Sequence, residues 1–264
     1  MAVDGRGNGT GSVLVTRPVG EAAEGLCRAV GEAGFPVYHQ PLLSLTALPQ
    51  LSGAQRGLIQ NLDNYHHVIF ISANAVRFGM ARIEDYWPQL PTGINWYAIG
   101  EATAKLLEQS GIKATTPGCN MSSEGLLAVP LLKDVAGQRV LIIKGEGGRN
   151  TLASELISRG AQVDALACYR RSCPRLEDQE LASRMRGWGI GVVLISSGEG
   201  LANLLTLLSP AETTKFKHLC LIVPSGRVAR QARDAGFDQL VTADNASDAA
   251  MLRALQQWKL SSGE

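Results

Sequence analysis

The chain repeats itself, and that repeat restricts its fold more than any other feature. VIFISANAVRFGM from Val68 parallels VVLISSGEGLANLL from Val192. WYAIGEATAKLLEQSGIKATTP from Trp96 parallels CLIVPSGRVARQARDAGFDQLVTA from Cys220. SVLVTRPVGEAAEGLCRAVGEAGFPVYHQPLL from Ser12 resembles RVLIIKGEGGRNTLASELISRGAQVDALACYRRS from Arg139. Each copy holds an apolar strand, a breaker, a helix of 3.6-residue period and a closing glycine. Strands alternating with helices fold into parallel sheets with helices on both faces. Two such sets predict an α/β chain of two similar domains.

The copies do not simply follow one another. Two extended, proline-bounded segments, about 36–46 and 163–174, are candidates for a two-stranded connection. That division gives a discontinuous first domain (1–36 and 174–264), a second domain (42–165) and a linker (37–41 with 166–173). An in-line division near Leu131 also fits. Helices are expected at 21–33, 51–62, 73–83 (with Asn74 as N-cap), 176–185, 199–208, 228–235 and 246–258, and a short strand at 112–115.

Composition narrows the function. At 264 residues with 45% apolar content the chain suits one large packed domain or two smaller ones. A net charge of +1 supplies no global field for nucleic acid or an acidic membrane. No apolar run reaches the roughly 20 residues that span a bilayer. The N-terminus, MAVDGRGNGTG, lacks a signal peptide's apolar segment and reads as a leader without regular structure. Cys27, Cys119, Cys168, Cys173 and Cys220 are odd in number and scattered, as expected for reduced thiols of a cytoplasmic protein. His39, His66, His67 and His218 form no metal-ligand pattern, so no metal is expected.

No Ser–His–Asp set, HExxH or P-loop is present. Parallel strands deliver their C-terminal ends to one edge, so Arg17, Ser72, Thr103, Lys144, Ser196 and Arg227 should share it. Any one of them taken alone reads better as a solvated loop residue or a helix cap; it is their convergence on one edge that points to a site. KGEGGRN, with Lys144 and Arg149, is an anion-binding turn or a plain structural one. Tyr169 is a half-buried strand aromatic or a site residue. The Gly100–Thr103 turn opens a helix whose first N–H groups favour anions.

The order LVTRP, FISANAV, AIGEATAKLLEQSGI, VLIIKGEGGRNTLASELISRGA, ACYRRSCP and LISSGEGL resembles uroporphyrinogen-III synthases, from about Ser12 to Leu255. The resemblance implies two α/β domains joined by a two-stranded ladder, with the active site in the cleft between them. It implies hydroxymethylbilane as substrate and uroporphyrinogen III and water as products, with ring D inverted through a spiro intermediate. Neither metal nor organic cofactor is implied, nor a nucleic-acid or membrane partner, and a monomer is expected. Carried over by position, Tyr169 is the proton donor to the departing hydroxyl. Thr103, Ser72 and Ser196 are carried over as substrate contacts. One departure stands out: SGRVA, 225–229, has Val228 where relatives often carry a threonine. A substrate with eight carboxylates suits scattered cations, so Arg17, Lys144 and Arg149, from their place at the strand ends, and Arg227, beside the departure at 228, are the further candidates for binding it. A two-domain small-molecule binding or sensor protein is the alternative. A dinucleotide enzyme fits less well, because no G-x-G-x-x-G follows a strand.

Overall fold

The computed structural model describes residues 11–118, 120–148 and 150–262. The chain divides into two compact units. One comprises the described residues up to Ser44 and those from Ser172 on; the other is Leu45–Arg171.

The first unit holds five strands: β1 Ser12–Val15, β2 Val37–His39, β8 Ile190–Leu194, β9 Cys220–Val223 and β10 Leu240–Thr242. They form one sheet in the order β10-β9-β8-β1-β2. Every neighbouring pair is parallel. Alternate residues serve opposite faces, as the strand period of two requires. Leu14, Val193, Ile195, Leu221 and Val223 pack with α7 (Glu180–Gly187), α8 (Gly198–Leu207) and α10 (Gly226–Asp234). Val13, Val15, Val192, Leu194, Cys220 and Ile222 pack with α1 (Glu21–Glu32) and α11 (Asp248–Ser262). A strand covered on both faces must be apolar throughout, which is why SVLV and CLIV read as unbroken runs.

The second unit repeats the plan. Its strands are β3 Ser44–Ala47, β4 His67–Phe70, β5 Asn95–Ala98, β6 Arg139–Gly145 and β7 Gln162–Ser172, in the order β3-β7-β6-β4-β5. β5, β4, β6 and β7 pair in parallel. Val68, Phe70, Leu141 and Ile143 face α2 (Gly53–Gln60), α3 (Ala73–Glu84) and α4 (Glu101–Gln109). Ile69, Tyr97, Val140 and Ile142 face α5 (Ser123–Leu127) and α6 (Thr151–Ser158). Gly79 lets α3 lie close on β6: a Cβ there would come within 2.5 Å of Ile143 Cγ2.

Several expectations are corrected. Residues 37–41 do not pair with 166–173. Val37–His39 is the edge of the first sheet, hydrogen-bonded to β1, and the neighbour of β7 is Ser44–Ala47. The strand expected at 112–115 shrinks to one bridge, Tyr97 to Thr115. The helix expected at 176 starts at Glu180, after Gln179 adopts a left-handed φ of 63°. Ser72, not Asn74, caps α3, accepting from Ala75 N at 3.0 Å. The sequence reading missed α9 (Pro210–Phe216), although Ser209 and Glu212 form a capping box and Pro210 stands at its first turn.

The thiols of Cys168 and Cys220 are buried, and burial pushes both up to about 12, so they stay protonated. Cys119 lies outside the described residues.

A polar chain runs from Tyr97 in β5 through the buried His67, the first residue of β4, to Gln138 just before β6. His67 Nδ1 lies 3.0 Å from Tyr97 Oη, and Nε2 meets Gln138 Oε1. A neutral ring with its proton on Nε2 donates to Gln138 and accepts from Tyr97. Burial holds the imidazole's pKa below the ordinary histidine value, the Gln138 bond opposing and His66 adding to the effect. The unfolded chain therefore takes up a proton near pH 6.5 that the folded chain refuses. Stability is full above about pH 6.5 and falls below it, by at most about 1.4 kcal/mol per pH unit. The denaturation midpoint measured from pH 7.5 to 5.5 should fall with this slope, and His67→Gln should flatten it.

Candidate active site

In the first unit the chain leaves β1 toward β2 on one side, while β8 leads to β9 and β10 on the other. The loops leaving adjacent β1 and β8 therefore diverge at their C-terminal ends, and a crevice opens there, where doubly wound sheets hold their ligands. Arg17 follows β1 and Ser196 follows β8; Arg17 Nε donates to Ser196 Oγ at 3.4 Å. The sequence placed these two at the same edge, and the structure joins them.

Arg17, however, is only 8% exposed, and its own chain occupies the guanidinium. It donates to Ala22 O at 3.0 Å, to Ala246 O and to Asp248 Oδ1. The side chain that reads as a substrate contact ties the β1 edge to the N-terminal turns of α1 and α11. Ser196 is also not the counterpart of Ser72 in capping: Ser197 caps α8, accepting from Gly200 N at 3.0 Å.

Arg227 is different. It stands in the first turn of α10, exposed, with no hydrogen-bond or ion-pair partner among the described residues. It packs over the start of α8: a Cβ on Gly198 would lie 3.3 Å from its Nη1. Val228, the departure from the expected threonine, is 1% exposed and belongs to the core.

In the second unit the divergent loops follow β6 and β4. Lys144 is the penultimate residue of β6, where one of them begins, and Ser72 lies in the other. Lys144 Nζ lies 3.5 Å from Asn150 Oδ1. Gly147 (φ 69°) and Gly148 (φ 83°) both adopt left-handed backbone, which other residues would be strained to reach. Arg149 lies outside the described residues. Ser72 Oγ lies 3.1 Å from Tyr169 Oη, so two hydroxyls predicted separately form one pair. Tyr169 is 5% exposed, and its ring stacks on Phe78 at a centroid distance of 5.2 Å.

Thr103 occupies the third position of α4, as Val228 does in α10. It is 3% exposed and its hydroxyl has no partner among the described residues. Gly100 caps α4 without a side-chain bond, leaving the first-turn N–H groups free of one. A Cβ at Gly100 would fall 2.8 Å from Sδ of Met121, which is 62% exposed. Sequence reasoning did not single out Met121 or Phe78, and it read Gly145 only as part of the KGEGGRN turn, not as a neighbour of Tyr169.

A family model described as uroporphyrinogen-III synthase HemD matches residues 24–253. The uroporphyrinogen-III synthase of Escherichia coli K12 is 35% identical over 253 residues, covering 93% of this chain and all of the relative. That of Salmonella typhimurium LT2 is 35% identical over 252 residues, with the same coverage. The chain belongs to the uroporphyrinogen-III synthase family. The fold agrees. The synthase of Helicobacter pylori 26695 superposes with a TM-score of 0.62 at 14% identity, covering 94% of this chain and 99% of that one. A mutant synthase of the extreme thermophile Thermus thermophilus gives 0.57 at 17%, covering 93% and 99%.

The chain thus offers two kinds of group at its strand ends. The first unit presents the unpaired Arg227. The second presents a hydroxyl pair, Ser72 with Tyr169, and an uncapped helix start with Thr103. Among the described residues no helix is long and apolar enough to cross a membrane, and no group of three His, Cys, Asp or Glu side chains could hold a metal ion.

Proposed function

We propose that the protein is a cyclising lyase, a cytoplasmic monomer that converts hydroxymethylbilane to uroporphyrinogen III and water without metal or organic cofactor. The observation that carries this reading is the 35% identity to the E. coli synthase along that enzyme's whole length. The reaction opens when the C–O bond to the terminal hydroxyl breaks. The oxygen leaves with the bonding pair and takes a proton, departing as water, while a pyrrole nitrogen's lone pair stabilises the cation left behind. The substituted α-carbon of ring D attacks that cation and forms the spiro ring. Fragmentation and re-closure at the other α-carbon invert ring D, and loss of a proton restores aromaticity.

Tyr169 is the proposed donor of the proton to the departing hydroxyl, with Ser72 bonded to it. The remaining task is to fold the chain so that ring D meets the far end, which is catalysis by positioning. Eight substrate carboxylates require donors. Arg227, Lys144, Arg149 and the first turn of α4 with the Thr103 hydroxyl are the proposed ones. Ser196 lines the first unit's edge, and Arg17 holds that edge in place.

Adding the protein to enzymatically generated hydroxymethylbilane should divert product from the type I to the type III isomer. An unchanged ratio would overturn the reading. Thr103→Val tests the α4 site separately. Val228 fills the same helical position in α10, and the Thr103 hydroxyl gives up no hydrogen bond among the described residues, so the fold should accept valine. A hydrogen bond to a charged group is worth about 1.5–3 kcal/mol, so kcat/KM should fall roughly tenfold or more. Steady-state kinetics beside a denaturant midpoint would check both.

A further inference from the structure

We infer that Gly145 is a positioning residue for the Tyr169 hydroxyl, acting through a β-bulge in β7 and together with Phe78. The inference rests on the reading of Tyr169 as proton donor. Between β6 and β7 the register runs Lys144 to Ala167, then Gly145 to Tyr169, so Cys168 is the extra residue. Leu166 and Cys168 face α3 and, by strict alternation, Tyr169 would face the opposite layer. The bulge turns it back: Leu166, Cys168 and Tyr169 all belong to the cluster packed with α3. That is the side where Ser72 caps α3 and where Phe78 offers its ring.

Space for the redirected ring exists only because residue 145 has no side chain. A Cβ there would stand 2.7 Å from Tyr169 Cζ, 2.8 Å from Cε2 and 3.1 Å from Oη. All three atoms are at the hydroxyl end. Alanine at 145 would therefore displace the reacting group itself, while the ring's root in the strand stays held by backbone bonds such as Glu146 N to Tyr169 O at 2.8 Å. Gly145 has no left-handed φ, so backbone strain is not the reason for glycine. In a strand, alanine would ordinarily be preferred to glycine.

The test is a double-mutant cycle of Gly145→Ala with Tyr169→Phe, reading kcat, KM and denaturation midpoint. A misplaced catalytic group lowers turnover without loosening substrate binding. Gly145→Ala should lower kcat roughly tenfold with KM nearly unchanged, and should add nothing once Tyr169 is Phe. A fully active Gly145→Ala, or an equal loss in both backgrounds, would overturn the positioning role and leave the proton-donor reading standing. A fully active Tyr169→Phe would overturn both. If Gly145→Ala does not fold, Phe78→Leu, which adds no bulk at the hydroxyl end, runs through the same cycle with the same criteria.

Discussion

Replacing Tyr169 by phenylalanine should lower kcat by roughly 10² while KM and fold are kept. Only the hydroxyl is removed; the ring keeps its stack on Phe78 and its place against Gly145. Ser72 loses one partner but still accepts from Ala75 N, so the stability cost is that of one hydrogen bond, about 1 kcal/mol. General acid catalysis contributes about 10² to 10⁴. The lower end is expected here, because the pyrrole lone pair already helps to break the C–O bond. Steady-state kinetics and a thermal melt on the same preparation check the two halves together. Loss of activity accompanied by loss of fold would assign Tyr169 to the core alone.

Replacing Arg17 by methionine should destabilise the first unit by about 2–3 kcal/mol, with kcat/KM changed less than about threefold below the melting range. Methionine keeps the apolar stem. It removes the donors to Ala22 O, Ala246 O and Asp248, which bring together the starts of α1 and α11. Asp248 is 46% exposed at its side chain, so water takes over part of its charge and limits the loss. For a unit of this size the melting midpoint should drop by about 5–10 °C. A large rise in KM with the midpoint intact would instead return Arg17 to the substrate.

What the sequence made legible follows from the range of its interactions. The apolar runs at 13–15, 192–194 and 220–223 declare buried parallel strands, because both faces are covered. The repeat declares that the second sheet copies the first. The capping box at Ser209 was also there to be read, and the helix it starts was passed over. Other features depend on partners far away in the chain. Arg17 reads as a free cation until Asp248, 231 residues later, is placed beside it. The aim of Tyr169 depends on one extra residue in β7, which alternation in the sequence does not reveal. A one-residue shift in where α8 begins separates Ser196 from the capping role that Ser72 has in α3.

On this reading the chain turns substrate over, and does not merely bind it. The decisive measurement supplies hydroxymethylbilane in large excess over the protein and resolves the two isomers of the cyclised product with time. The expected result is type III product in amounts far exceeding the protein, with initial rate proportional to protein added. Type III product limited to about one equivalent, or the type I isomer alone, would contradict it.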